Sequence, residues 1–242
     1  MSKDKNKIIA VIWDYDGTIV DTAQKNLNVT KKIVEKISGK SAENFPALRS
    51  LENYKQSHLE SANWRHFYGV QFGFDENEVD EAGRIWTEYQ LNDKTQAPIF
   101  EGIDQVIRNL NNYPQGLVSQ NSKSSMIKKL KEYDLDHYFG CIIGYEEVDI
   151  KKQKPDPAGM LMCINELAGG KLGTVFYIGD HETDAVCVSN TNRTLIKGKR
   201  EICVRSIGAF YGSNNSCPEW NFQPDFKVNK VGEILEIVEN YR

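Results

Sequence analysis

Short runs of consecutive apolar residues alternate along the chain with segments whose apolar positions recur every three to four residues. The runs are IIAVIW (8–13), GLV (116–118), CIIG (141–144), TVFYI (174–178) and ICVRSI (202–207). They read as strands buried on both faces, as in a parallel sheet. Between them, Ile103, Val106, Ile107 and Leu110 fall on one face of a helix, as do Met160, Leu161, Ile164 and Leu167. Val231, Ile234, Leu235 and Val238 repeat the pattern near the carboxyl end. Strands alternating with helices predict an α/β fold: a Rossmann-like, open, mainly parallel sheet with helices on both faces and right-handed crossovers.

One stretch departs from this rhythm. From Thr22 to Thr95 there is no strand-like run, only helix-prone segments such as LNVTKKIVEKI and DEAGRIWTEYQL, before Pro98 marks a return to the sheet pattern at PIFEGI. The expectation is an α/β core of residues 1–21 and 96–242 with a small α-helical domain, residues 22–95, inserted after the first strand. The alternative is a set of long helices packed on the same core.

Composition narrows the class. With 242 residues, 40% hydrophobic and 26% charged, the chain is long enough for one large domain with a smaller insertion and is ordinary globular in make-up. A net charge of −4 gives no pull toward nucleic acid or anionic lipid. The amino terminus is charged, and the apolar run Ile8–Trp13 is too short for a signal core or a membrane span. No nucleic-acid or membrane partner is therefore expected. The five cysteines, Cys141, Cys163, Cys187, Cys203 and Cys217, show no Cys-x-x-Cys spacing. They suit small buried thiols in a reducing cytoplasm better than a disulfide frame or a zinc site. No pattern specifies an oligomeric state.

The candidate chemistry falls at the carboxyl ends of four expected strands, where open parallel sheets bind ligands. Asp14-Tyr15-Asp16-Gly17-Thr18 follows the first. Two carboxylates held so close repel and resist desolvation, so they call for a cation; Mg²⁺ takes one or two carboxylates together with phosphate oxygens. Ser119 follows the second, where its hydroxyl could donate to a phosphate oxygen or, with Ser122, cap the next helix. Lys154 stands beside Pro155 and Pro157, as a positioned point charge for a phosphoryl group or as part of a solvated basic loop with Lys151 and Lys152. Asp180 and Asp184 lie in GDHETD after the fourth, able to complete a cation site or to serve a helix N-terminus.

In this order, DYDGT, Ser119, KPDP and GDHETD resemble the haloacid dehalogenase superfamily of hydrolases over nearly the whole chain, and within it the phosphoglycolate phosphatase-like branch. The resemblance implies that the helical insertion is a cap and that the reaction is Mg²⁺-dependent phosphatase chemistry on a small phosphorylated metabolite. Asp14 would be the nucleophile that becomes an aspartyl-phosphate, and Asp16 the general acid and base. The metal would be held by an Asp14 carboxylate oxygen, the Asp16 backbone carbonyl and Asp180, with Asp184 steadying that shell. Ser119 and Lys154 would hold phosphoryl oxygens. Dehalogenating relatives lack the second aspartate, so Asp16 favours phosphate chemistry. A phosphomutase of the β-phosphoglucomutase type is the alternative enzyme, and a non-catalytic binder of phosphate esters the alternative class.

Other residues carry weaker signals. Arg49, Lys55, Trp64 and Arg65 are candidates for reading the substrate's leaving group, whereas Phe72, Phe74, Trp86 and Tyr89 read as packing residues of the insertion. His58, His66, His137 and His181 show no metal-ligand spacing, and His181, beside Asp180, reads as a surface position of the following helix, with a contact to substrate as the alternative. Trp13 and Tyr15 are bulky neighbours for a nucleophile, explained by aromatic core packing. The basic stretch Asn190 to Glu201 reads as a long solvated loop, with contact to an acidic partner or a large substrate as the alternative.

Overall fold

A computed structural model describes residues 7–61, 63–212 and 220–241. Cys217 therefore lies outside the described residues. The chain divides into two compact units, one of residues 1–20 with 99–242 and the other of residues 21–98.

The first unit is built on a six-stranded parallel sheet. Its strands are β1 (Ile8–Trp13), β2 (Gln115–Val118), β3 (Phe139–Ile143), β4 (Gly173–Gly179), β5 (Ile202–Ala209) and β6 (Phe226–Val228), in the spatial order β3-β2-β1-β4-β5-β6. Strands β1, β2 and β4 are buried along nearly their whole length, which is why they read as uninterrupted apolar runs. The expected strand at 141–144 begins two residues earlier, at Phe139. β6 was not expected: it is a three-residue edge strand with one buried side chain, too short to leave a pattern. At PIFEGI, Ile99 forms only an isolated bridge with Val20.

Helices cover both faces. In the first unit these are α5 (Ile103–Asn109), α6 (Lys123–Glu132), α7 (Ala158–Ala168), α8 (Glu182–Lys197) and α9 (Glu233–Asn240). Met160, Cys163 and Ile164 of α7 and Cys187, Val188 and Leu195 of α8 pack with Ile12, Val118, Val175, Tyr177 and Val204 of the sheet. On the opposite side of β4, Phe176 meets Tyr241 just after α9, with ring centroids 5.0 Å apart. Each fully buried aliphatic or aromatic side chain in these layers contributes roughly 1.5–3 kcal/mol of transfer free energy. Trp13 and Tyr15 are indeed core residues, at 0% and 3% exposure. The Trp13 indole N–H donates to Gln115 Oε1 on β2 at 3.0 Å, so no polar group is stranded.

The basic stretch is not a loop as far as Lys197. α8 continues through it because Thr191 and Leu195 are buried, while Asn192 bonds both the N–H and the C=O of Val204 on β5. A polar side chain thus anchors the helix where apolar periodicity is thin.

The second unit is helical: α1 (Ala23–Ser38), α2 (Leu51–Leu59), α3 (Trp64–Phe72) and α4 (Glu76–Asn92). α1 stops at Gly39, whose left-handed φ of 67° lets its N–H close on Glu35. α4 starts with a reciprocal capping box between Asp75 and Glu78. Its core gathers Leu27, Ile33, Val34, Leu48, Phe67, Phe72 and Ile85, with Phe67 and Phe72 edge to face at 5.2 Å. Trp64, Trp86 and Tyr89 pack against that core. Arg65 is paired with Asp80, and Arg49 Nε donates to the Glu43 carbonyl.

Candidate active site

The strand order reverses at β1: the chain runs outward through β2 and β3 on one side, then returns to lay β4, β5 and β6 on the other. In open α/β sheets the crevice at such a reversal, beyond the carboxyl ends of the strands, is the place for a ligand. Asp14 leaves β1 there and Asp180 leaves β4. The register is tight, since Trp13 pairs with Ile178 and the Asp14 N–H donates to the Ile178 carbonyl at 2.7 Å.

The loop after β1 is wound around one acceptor. The Tyr15 carbonyl takes the N–H groups of Thr18, Ile19 and Val20. Gly17 sits in this turn at φ 75°, in the left-handed region. A second constraint is steric: a Cβ on Gly17 would lie 1.9 Å from Asp180 Oδ2. The glycine is what allows the Asp180 carboxylate to lie against the DYDGT backbone.

Asp14, Asp180 and Asp184 place carboxylate oxygens within 4.8 Å of one another. Lys154 stands among them, its side chain only 8% exposed, with Nζ 2.6 Å from Asp14 Oδ1 and 2.7 Å from Asp184 Oδ1. Lys154 also donates to the Tyr177 hydroxyl at 3.0 Å. Asp184 has a second attachment: its Oδ2 accepts the His181 N–H, in a capping box that starts α8. His181 is accordingly the N-cap of α8, not a surface position within it; its Nδ1 accepts the Thr183 N–H.

The electrostatics follow from this crowding. Burial pushes the Asp14 carboxyl up to about 7; Lys154 opposes the rise, and Asp184 and Asp16 add to it. Asp180 is driven well above the ordinary range by burial and by Asp14, Asp184 and Asp16, with Lys154 opposing the rise. Burial works against charge on Lys154 too, but Asp14 and Asp184 outweigh it and hold the ammonium protonated well past its usual range. Three carboxylates against one ammonium leave the site short of positive charge. A divalent cation fits that deficit and the all-oxygen donor set.

The Asp16 carboxylate is held by the loop after β2. Asn121 donates its amide hydrogens to both Asp16 oxygens, at 3.1 and 2.9 Å. The amide cannot turn over freely, because Asn121 Oδ1 already accepts the Ser122 N–H at 2.7 Å. Ser119 lies in the same loop, buried, with its hydroxyl accepting the Asn121 N–H at 3.2 Å. It does not cap α6, and Ser122, at the cap position, makes no side-chain cap bond either. No hydrogen bond joins Ser119 directly to Asp14 or Lys154 among the described residues.

Asn121 and Tyr177 are the two members of the site that sequence patterning missed. Tyr177 sat unremarked inside an apolar strand, and Asn121 two residues past the serine. The loop with Lys154 is pinned from two sides: Gln120 Nε2 donates to the Lys154 carbonyl, and Asn190 Nδ2 to that of Pro155. Of the other histidines, His58 stacks on Phe67 at 4.1 Å, and His137 lies beside Asp134 and Asp136 in an exposed group.

Comparison with known proteins places this geometry in context. The sequence profile of the family described as haloacid dehalogenase-like hydrolase matches residues 11–197. The chain is 26% identical over 240 residues to a pyrophosphatase PpaX of Listeria monocytogenes, covering 97% of this chain and 98% of that protein. A phosphoglycolate phosphatase of Vibrio cholerae is 25% identical over 122 residues, covering 50% of this chain and 48% of that one. Among solved structures, a haloacid dehalogenase-like hydrolase from Streptococcus pneumoniae superposes with a TM-score of 0.67 at 19% identity, covering 95% and 97% of the two chains. A subfamily IA member of that superfamily from Geobacter sulfurreducens gives 0.60 at 21%, covering 98% and 100%. At such identities these structures speak for the fold.

Proposed function

The chain belongs to the haloacid dehalogenase-like hydrolase family, and from that premise we propose that it is a phosphatase of small phosphorylated metabolites, working through a phosphorylated Asp14. The observation that carries the reading is the placement of Lys154 between Asp14 and Asp184, with Asp180 close by at the topological switch point. Phosphoryl transfer needs positioning and neutralisation of spread-out negative charge more than it needs covalent chemistry from the protein.

Asp14 attacks phosphorus: a bond forms from a carboxylate oxygen, and the bond to the leaving oxygen breaks. Asp16 supplies the proton that the departing oxygen takes up, then removes one from the water that cleaves the aspartyl-phosphate. Asn121 holds the Asp16 carboxyl in the orientation this double role requires. Lys154 balances the charge of Asp14 in the resting site and that of the phosphoryl oxygens as they arrive, and Ser119 contributes a hydroxyl to the same oxygens. Mg²⁺ would be held by the Asp14 carboxylate, the Asp16 carbonyl and Asp180, with Asp184 behind them. When bound it offsets the carboxylate repulsion and polarises the phosphoryl group. The helical unit of residues 21–98 would act as the cap that selects substrate.

The near full-length similarity to a pyrophosphatase puts inorganic pyrophosphate beside 2-phosphoglycolate as a first substrate to assay. Phosphate release should be measured from both and from p-nitrophenyl phosphate, with and without Mg²⁺. Turnover should require the metal, and Asp14→Asn should lower kcat on the order of 10⁴-fold. Full activity in Asp14→Asn, or no turnover of any ester or anhydride, sinks the proposal.

A further inference from the structure

Two thiols outside the acidic site face each other where β3 meets α7. Cys163 on α7 is fully buried, and a Cβ added to Gly116 of β2 would lie 2.5 Å from its sulfur. Gly116 is in register with Cys141 on the neighbouring strand β3. Register partners on adjacent strands project to the same face of a sheet, so Cys141 also projects toward α7. There Cys141 packs against the buried cluster that contains Cys163.

Their surroundings differ. β3 is an edge strand, and Cys141 on it is partly exposed, whereas Cys163 is enclosed. Contact with Cys163 lowers the Cys141 thiol below its ordinary range; burial, Glu166 and Glu147 oppose this, and Lys123 assists it. The same contact, with burial, pushes Cys163 well up. The pair thus sets a thiol on a partly exposed edge strand against a second, enclosed one. Redox-sensing pairs combine an approachable attacking thiol and an adjacent resolving one in this way.

We propose that Cys141 and Cys163 form a peroxide-responsive pair that closes a disulfide between β3 and α7. The Cys141 thiolate attacks one oxygen of hydrogen peroxide; the O–O bond breaks, and the departing hydroxide takes up a proton as water. Cys141 is left as a sulfenic acid. Cys163 then gives up its proton and attacks that sulfur; the S–O bond breaks, and the second water leaves with the proton. Two thiols lose two electrons, the peroxide gains them, and two waters form.

The cross-link has a structural consequence. β3 ends at Ile143 and α7 starts at Ala158, so the chain between them is the loop that carries Lys154. A bond from Cys141 to Cys163 turns that loop into a closed ring and restricts its excursions. This inference is independent of the phosphatase reading, because its readouts need no turnover.

The protein should be treated with hydrogen peroxide, alkylated, and mapped by mass spectrometry without reduction. The expected result is a peptide linking Cys141 to Cys163, the loss of two alkylatable thiols from five, and full reversal by dithiothreitol. Hydrogen exchange over residues 144–157 should slow in the oxidised form and recover on reduction. Cys141→Ser should abolish both changes; its site is partly exposed, so the variant is expected to fold. Cys163→Ala should leave Cys141 to proceed to the sulfinic acid. Sulfinic acid at Cys141 of the unaltered protein with Cys163 still alkylatable overturns the proposal, as does the failure of either thiol to react. A cross-link that leaves exchange unchanged overturns its effect on the Lys154 loop.

Discussion

On the proposed mechanism, Asp16 has to be held in place while it gives and takes a proton. Asn121 orients it by donating to both carboxylate oxygens, which favours the ionised form but, since an amide carries no charge, less strongly than a cation would. Two neutral-donor hydrogen bonds to a charged acceptor are worth roughly 1.5–3 kcal/mol each when fully realised, less where water can replace them. Asn121→Ala should therefore lower kcat roughly tenfold, about 1.4 kcal/mol, with little change in KM. Asn121→Asp should be worse than alanine, since it sets a second carboxylate against Asp16 and raises the proton affinity of both. Steady-state kinetics of the two variants across pH checks the order. An aspartate variant as active as the alanine one would show that Asn121 does not position Asp16. Asn121 was not legible beforehand: its role arises from the approach of the loops after β1 and β2, 105 residues apart in sequence, and nothing local marks it.

At the scale of elements, the inserted helical unit depends on a junction between α1 and the end of α4. Asp93, the C-cap of α4, is buried, and its carboxylate accepts Lys32 Nζ at 2.6 Å and the Thr95 N–H at 2.9 Å. Burial alone would raise its proton affinity; the bonds from Lys32 and Thr95 outweigh burial and hold it below the ordinary carboxylate range. A lowered carboxyl adds stability that is present above its unfolded value, near 3.9, and is lost as pH falls through the folded one. Asp93→Asn should thus speed hydrogen exchange in α1 and α4 at pH 7, and the difference from the unaltered protein should shrink as pH approaches 3. A difference that stays constant with pH would mean that Asp93 acts by shape alone. Most elements were readable from pattern. β1 matches its apolar run residue for residue, and β4 and β5 extend theirs by a residue or two, because strands buried on both faces leave no polar interruptions. The misses have separate causes. β6 is too short to leave a pattern, and the end of α8 is anchored by Asn192 bonding Val204, a partner in another element that apolar periodicity does not mark. The candidate site was legible as clusters at strand ends because the sheet itself sets where polar residues can follow buried ones. That Asp14, Lys154, Asp180 and Asp184 share one space could not be read from any one cluster.

For the whole molecule, the acidic site sets how stability responds to pH and metal together. Asp14, pushed to about 7, and Asp180, pushed well above its usual range, keep protons in the folded chain that the unfolded chain releases near pH 4. Between those values the folded state binds more protons than the unfolded one, so stability falls as pH rises. In the presence of a chelator, the Tm should decline from pH 5 to pH 7.5. A cation bound by the same carboxylates reverses the balance, because it needs them ionised, and it stabilises by about 2.7 kcal/mol at a hundred times its Kd. Added Mg²⁺ should therefore raise the Tm more at pH 7.5 than at pH 5. Asp180→Asn removes one carboxylate from the group while leaving the Lys154 pairs with Asp14 and Asp184 intact. That variant should show a shallower decline without metal and a smaller Mg²⁺ gain at pH 7.5. Scanning calorimetry of both proteins at the two pH values, with chelator and with Mg²⁺, separates the effects. An equal Mg²⁺ gain in Asp180→Asn would place the metal elsewhere, and a Tm that rises with pH in chelator would mean that Lys154 alone neutralises the site.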